Sequence, residues 1–416
     1  MLLKGLKMHI RRKLIKTAAA VLSAGMAGIF AVAGYYSSKL PASMTAETSS
    51  EIRIAQYPEL SCSPGAEDGV LPAGAFPGTR QVTFSLFGAV PVKTVTVREA
   101  EPPVLTVGGA PFGIKLLMDG VMVTELGDVT DISGGTACPA ADAGIEVGDV
   151  IKTAGGRPIL SNSALQEVIS ESGGKDVSIT VVRDGEESTV FLRPVFSGNS
   201  GTWRGGMWVR DSVAGIGTMT FINKATGEFA GLGHPICDSD TGGLVPLYSG
   251  EAVPVSITDA QKGEKGIPGE LRGVFMKGKT YGRLYRNSSC GVFGRLNDDA
   301  VKELCEGCEE FIMGYRQDVA AGPAEIYSTL GGTSPEKYSA EIESVDLSGK
   351  NSGKDMVIRI TDERLLEKAG GIVQGMSGSP VIQNGRLIGA VTHVFVADPT
   401  RGYAVFAETM AEYLEG

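Results

Sequence analysis

Residues 375–380 read Gly-Met-Ser-Gly-Ser-Pro. A serine hydroxyl becomes a nucleophile where a tight turn exposes it and backbone N–H groups point at the oxygen that turns negative. Gly375 stands two residues before Ser377 and Gly378 directly after it, and glycine lets the chain turn that sharply without a Cβ clash. The spacing predicts acyl transfer, with Ser377 as nucleophile and the N–H groups of Gly375 and Ser377 as the oxyanion hole. Alone, the hexapeptide also fits an ordinary turn. The residues after it narrow the choice: Val381 to Gln383, an Asn384-Gly385 hairpin turn, a returning strand Leu387 to Val391 extended through His393 to Val396, and a last strand Gly402 to Phe406.

Such a serine needs a base. The chain has three histidines: His9, His234 and His393. His9 lies in the basic amino-terminal segment and is excluded. His234 ends the run Phe229 to His234, after an apolar strand Ile216 to Phe221 and a turn at Lys224 to Gly227, so it is favoured. His393 falls within the strand after the nucleophile, where a ring is more often structural or lines a cleft. The acid that would orient the imidazole is left open among Asp238, Asp240, Asp259, Asp362 and Asp398. Asp362 has a slight preference because it follows an alternating strand, Met356 to Ile360, and lies between His234 and Ser377 in chain order. Asp238 and Asp240 also read as turn caps.

No cofactor and no metal are expected. The chain has no HExxH, and its one CxxC, Cys305 to Cys308, has no second pair to complete a zinc site. The other cysteines are Cys62, Cys138, Cys237 and Cys290; local disulfides or buried thiols are the expected states.

The elements that must position these residues are mostly short strands. In 416 residues, 58 are Gly and only 6% are aromatic, a composition of many tight turns. The length predicts two or three domains. Residues 1–36 hold six basic residues and no acid, so the rest holds 32 basic against 48 acidic residues. An acidic body argues against a phosphate-backbone ligand, and nucleic acid is excluded as a partner.

Thr17 to Tyr36 carries no charge, and about 20 residues suffice to cross a hydrocarbon core. The upstream basic flank predicts residues 1–16 in the cytoplasm and the body outside. An uncleaved anchor at 17–36 is preferred to a cleaved signal with its site at Ala31 to Ala33. Residues 37–80, rich in Ser, Thr, Pro, Gly and Ala, predict a flexible tether. Gln81 to Arg98 alternates and predicts two strands broken at Gly88 to Pro91, a small β segment at 81–102.

From 103 to 195 the pattern changes. A Phe112-Gly113-Ile114-Lys115 stretch precedes an apolar strand, Val121 to Val123. Then come an Ala/Gly-rich run ending in Gly148-Asp149-Val150-Ile151, a helix at Ser163 to Ser170, and a hairpin turning at Asp184-Gly185. This order resembles a PDZ domain, in which a loop of backbone N–H groups takes a chain-terminal carboxylate and the peptide adds as an edge strand. Phe112, Gly113, Ile114 and Lys115 fall where that loop is expected. A purely structural PDZ fold is the alternative.

Over nearly its whole length the chain resembles the SpoIVB peptidase family, the stage IV sporulation serine endopeptidases. The resemblance rests on the basic anchor, Leu86 to Lys93, Gly113 to Leu116, Gly231 to Gly242, Ile267 to Gly273 and Ile372 to Val394. It implies a mainly β chain: a trypsin-like double β-barrel protease domain at 196–416, preceded by the PDZ-like α+β domain and the transmembrane helix. It implies a triad of His234, Asp362 and Ser377, the assignment of Asp362 coming from the family alone. It further implies export across the forespore membrane to the intermembrane space. There the enzyme releases itself by self-cleavage before the PDZ module and then cuts a mother-cell membrane regulator of the pro-sigma-K processing complex. Its partners would be protein substrates, itself included, and the membrane. Two other readings are a non-catalytic PDZ scaffold with a degenerate protease fold and a general envelope quality-control protease, whose usual domain order is the reverse.

Overall fold

The computed structural model describes residues 2–48, 52–64, 78–350 and 353–414, with side chains from residue 16 onward. They form two compact units.

In the first unit a single helix spans Leu2–Lys39. Its segment Lys16–Lys39, of mean hydropathy 1.7, is long and apolar enough to cross a membrane. A helix leaves its last carbonyls without intrahelical donors; here the Lys93 ammonium supplies them, donating to the Leu40 carbonyl at 2.6 Å and the Ser37 carbonyl at 3.3 Å. A four-stranded sheet follows in the spatial order Ser43–Ala46, Val90–Glu99, Thr79–Leu86, Leu60–Pro64. Val82, Phe84, Val95 and Val97 alternate onto its fully buried face. The Phe87-Gly88 turn between its central strands has φ of 50° and 70°, the left-handed pair that hairpin twist demands. The tether expected at 37–80 is corrected in part: two of these strands come from it, and Leu40, Met44, Ile52, Ile54 and Leu60 are buried. Residues 65–77 lie outside the described set.

The second unit contains a six-stranded closed barrel. Pro111–Leu126 pairs through its first half with Met207–Ile222 on one side and Leu247–Gln261 on the other. The ring continues through Glu228–Gly231, Gly291–Leu296 and Gly282–Ser288. Phe112, Ile114, Leu116, Met118, Phe229 and Val292 fill it. A second antiparallel sheet pairs Gly322–Ser328, Pro380–Gln383, Arg386–Phe395, Asp398–Phe406 and Met356–Ile360 in that order.

The PDZ-like region is an insertion between two strands of the barrel, not a preceding bead. The second halves of its flanking strands, Val121 onward and Met207 to Arg210, continue out of the barrel to join Val150–Ala154 and the hairpin Val177–Arg183 with Glu186–Leu192. The hairpin turns at Asp184 and Gly185, with φ of 52° and 83°. Val121, Ile151, Ile179, Val181 and Leu192 make a separate core under the helix Asn162–Glu171. The Ser161 hydroxyl caps that helix, accepting from Ala164 N–H at 3.1 Å.

This corrects the assignment of Phe112, Gly113, Ile114 and Lys115 as a carboxylate-binding loop. Gly113 pairs with Ile216 and Val253, Ile114 with Gly215 and Ala252, and Lys115 with Ala214 and Glu251. Hemmed by strands on both sides, this segment has no free edge for a peptide. Phe112 and Ile114 instead point into the barrel core.

Candidate active site

Ser377 sits in a loop whose shape is fixed from outside. Gly375 and Gly378 have φ of +96° and +95°, a region that glycine enters without strain. Gly378 has a second constraint: an added Cβ would fall 2.0 Å from the Thr218 carbonyl oxygen. Thr218 and Thr220, on the barrel strand Met207–Ile222, pin the loop. Thr218 N–H donates to the Ser377 carbonyl at 3.0 Å, Thr218 Oγ1 to the Gly375 carbonyl at 2.8 Å, and Thr220 Oγ1 to the Gly378 carbonyl at 2.8 Å. The preceding residue Gln374 pairs with the Gly269 and Leu271 backbones at 2.8 and 2.7 Å, so the Ile267 to Gly273 motif supports this loop's entry. Among the described residues the N–H groups of Gly375 and Ser377 have no hydrogen-bond partner. Two free amides beside a serine hydroxyl are what an oxyanion requires.

His234 arrives from the other side on a kinked turn. Leu232 and Gly233 have φ of 67° and 72°, and Leu232 N–H donates to the Thr218 carbonyl at 3.2 Å. After the histidine, the Asn287 side chain brackets the chain: its Oδ1 accepts Ile236 N–H, and its Nδ2 donates to the Ile236 and Val245 carbonyls. Asp238 folds the next turn. Its Oδ1 accepts the N–H groups of Asp240 and Thr241 at 3.1 and 3.0 Å, and its Oδ2 pairs with the Arg210 guanidinium. Burial alone would raise the Asp238 carboxyl; those N–H donors and Arg210 outweigh it and hold it below the usual range. Asp238 is therefore a turn organiser, and Asp240 the outer partner of Arg210 at 2.6 Å.

One cleft of about 410 Å³ is lined by His234, Ser377, Gly375, Gln374, Thr392 and His393, among others. The His234 Nδ1 lies 2.8 Å from the Pro235 carbonyl. A carbonyl only accepts, so Nδ1 carries the hydrogen and Nε2 keeps its lone pair, the tautomer of a general base. Desolvation lowers the His234 pKa below its ordinary 6.5, keeping the ring neutral. The His393 ring lies 4.9 Å from it, centroid to centroid. Desolvation, then the charges of His234 and Lys354, push His393 down to about 4. The Ser377 hydroxyl donates to the Thr392 carbonyl at 2.7 Å, a resting contact.

Asp362 is not brought to His234. It caps the helix Glu363–Ala369, accepting Arg364 N–H at 3.0 Å, and it accepts Ser339 N–H at 3.2 Å. The Arg364 guanidinium holds both of its oxygens and, with those N–H groups, keeps its pKa below the usual range. The family-based assignment is corrected to this extent: the group meeting Nδ1 is the Pro235 carbonyl. Thr218 and the Arg210–Asp238 pair escaped the sequence reading. Thr218 looked like one of two threonines in an otherwise apolar strand, and a 28-residue separation hides an ion pair.

Compared with known proteins, residues 201–411 match the family model described as SpoIVB peptidase S55, and residues 113–193 match a PDZ domain model. Among solved structures the chain is similar to the PDZ domain of the SdrC-like protein from Listeria monocytogenes, at 24% identity over 22% of this chain and 87% of that one, with a TM-score of 0.18. It is also similar to the inactive form of the Rv3671c protease, at 13% identity over 47% of this chain and 81% of that one, with a TM-score of 0.27. No curated protein matches it.

Proposed function

This chain belongs to the SpoIVB peptidase S55 family and is a serine endopeptidase, and from that premise we propose that Ser377 and His234 carry its chemistry. Nε2 of His234 takes the Ser377 proton as Oγ attacks the scissile carbonyl carbon. The negative carbonyl oxygen is held by the N–H groups of Gly375 and Ser377. The imidazolium then protonates the leaving amine, and water, deprotonated by the same ring, hydrolyses the acyl-enzyme. Before attack, the serine hydroxyl rotates from the Thr392 carbonyl to the imidazole. The observation that carries this reading is the pairing, in one cleft, of a serine beside two unpartnered amides with a histidine whose Nε2 is free to accept.

Asp362 acts as a positioning residue: its helix, Glu363–Ala369, leads directly into Ile372 to Gly375, which form the cleft wall. The substrates are the chain itself, cut amino-terminal to residue 104, and the exposed part of a membrane regulator in sporulation signalling. The apolar helix tethers the peptidase to the forespore membrane, facing the intermembrane space, until that first cut.

The test is mass spectrometry of the full chain purified in detergent. Wild-type protein is expected to shorten with time to one new amino terminus, and Ser377→Ala to keep its full mass. Equal processing of both would remove Ser377 from the reaction.

A further inference from the structure

The first unit carries an apolar surface that the peptidase chemistry does not use. Gln81 to Val92 holds no charged residue, and Leu86 to Val92 holds no polar side chain. This is the turn end of the hairpin made by Thr79–Leu86 and Val90–Glu99. Leu86 packs inward, whereas Phe87 is 79% exposed among the described residues, with Gly88, Ala89 and Pro91 exposed beside it. Turns that face water favour Asn, Asp, Ser and Gly. An exposed apolar run of this length marks a contact surface instead.

The position of the turn identifies what covers it. Ser43–Ala46, the first strand after the apolar helix, runs parallel to Thr96–Glu99. Both lead away from the end of the helix, so the chain from Thr96 back to the turn lies on the helix's side of the sheet. The hairpin is fastened to the last turns of the helix from both of its strands. On one side the Phe87 N–H donates to the Glu59 carbonyl at 3.0 Å, and the Glu59 carboxylate accepts the Tyr36 hydroxyl. On the other, Lys93 donates to the Ser37 and Leu40 carbonyls. Glu59 and Lys93, the charged residues that flank the apolar segments, are thus both engaged by the helix end. One residue, Glu59, joins Phe87 to the ring that closes the uncharged stretch Thr17 to Tyr36. Tyrosines at the end of such a stretch mark the membrane–water boundary, and an uncharged, apolar turn fastened at that level meets lipid.

We propose that the Leu86 to Val92 turn is a second membrane contact, in which Phe87, Ala89 and Pro91 enter the boundary between lipid headgroups and acyl chains beside the helix. The contact rests on the reading of Lys16–Lys39 as a membrane span. It turns a single tether into a two-point seat for the sheet. The hairpin follows the helix in the chain, so a cut between the two leaves the released body a weak, reversible membrane contact of its own.

The test uses the full chain with Ser377→Ala, reconstituted in phosphatidylethanolamine–phosphatidylglycerol nanodiscs. Photoreactive benzoylphenylalanine is placed in turn at Phe87, at Ala89, at Phe30 in the apolar helix, and at Arg98, exposed at the far end of the same strand. Adducts are identified by mass spectrometry. Lipid adducts are expected at Phe30, Phe87 and Ala89, with about tenfold less at Arg98. With the probe at Ala89, Phe87→Glu should lower the lipid adduct about fivefold, while Phe87→Trp, suited to the boundary, keeps it. Lipid adducts at Phe30 with none at Phe87 and Ala89 above the Arg98 level, or adducts at Phe87 to protein in place of lipid, overturn the proposal. Absence of lipid adducts at Phe30 sinks the reading of the helix as a span instead.

Discussion

The loop bearing Ser377 and the loop bearing His234 face the same cleft, yet they are held in different ways. Two threonines of one barrel strand tie the serine loop through three bonds, and Gly378 leaves no room for a methyl group. Among the described residues the imidazole is tied only to the carbonyl of its own neighbour, and its loop is held two residues to either side, at Leu232 by Thr218 and at Ile236 by Asn287, and again at Asp238 by Arg210. The nucleophile side is thus rigid where the chemistry occurs. The histidine side is held through its neighbours, and one of those ties, Arg210 to Asp238, comes from the edge of the PDZ-like sheet. A fixed loop suits the preorganised charge stabilisation proposed for it, while a ring anchored through its neighbours keeps freedom to turn.

The most forceful way to break this comparison is to remove each catalytic group. Ser377→Ala and His234→Ala should each lower kcat by about 10⁶-fold, with nearly the same value for the double variant, because the two act as a unit. Independent, additive losses measured with a fluorogenic peptide would dissolve the pair. Gly378→Ala probes rigidity: its Cβ would overlap the Thr218 carbonyl, so a loss of about 3 kcal/mol or more in denaturant unfolding is expected. An unchanged midpoint would mean that the loop yields.

Asp362→Asn sharpens the base side. Because Asn caps a helix as well as Asp, it should cost little stability, and as the change of a positioning residue about tenfold in kcat/KM, leaving the pH profile in place. A loss near 10⁴-fold, the size seen when an orienting acid is neutralised, would return Asp362 to the triad. The smallest effect is in pH. Because desolvation depresses the His234 pKa, its neutral, proton-accepting form persists as pH falls, so the acid limb of kcat/KM should lie below 6.5. A limb at or above 6.5 would mean a solvated ring or an acidic partner.

The serine, the histidine and the hairpins were legible in the sequence because each is local: glycines where the backbone must turn left-handed, apolar alternation where a face is buried. What stayed hidden is long-range. The PDZ-like segment is continuous in sequence, and nothing in its spacing tells that its flanking strands extend into a barrel. The stretch Phe112 to Lys115 therefore read as a binding loop, although strands 103 and 140 residues further on cover Gly113 at Ile216 and Val253 respectively. Asp362 fitted chain order, but Arg364, two residues along, holds its carboxylate. The strands at Ser43–Ala46 and Leu60–Pro64 were concealed by small polar residues.

The central claim is that His234 activates Ser377, and labelling by a fluorophosphonate probe tests it most directly. With the modified residue mapped by mass spectrometry, the wild type should be phosphonylated at Ser377 alone, at a rate that falls below pH 6.5 as the imidazole protonates. His234→Ala should react about a thousandfold more slowly or more. Labelling of Ser377 at the same rate in both proteins, or labelling confined to another serine, would contradict it.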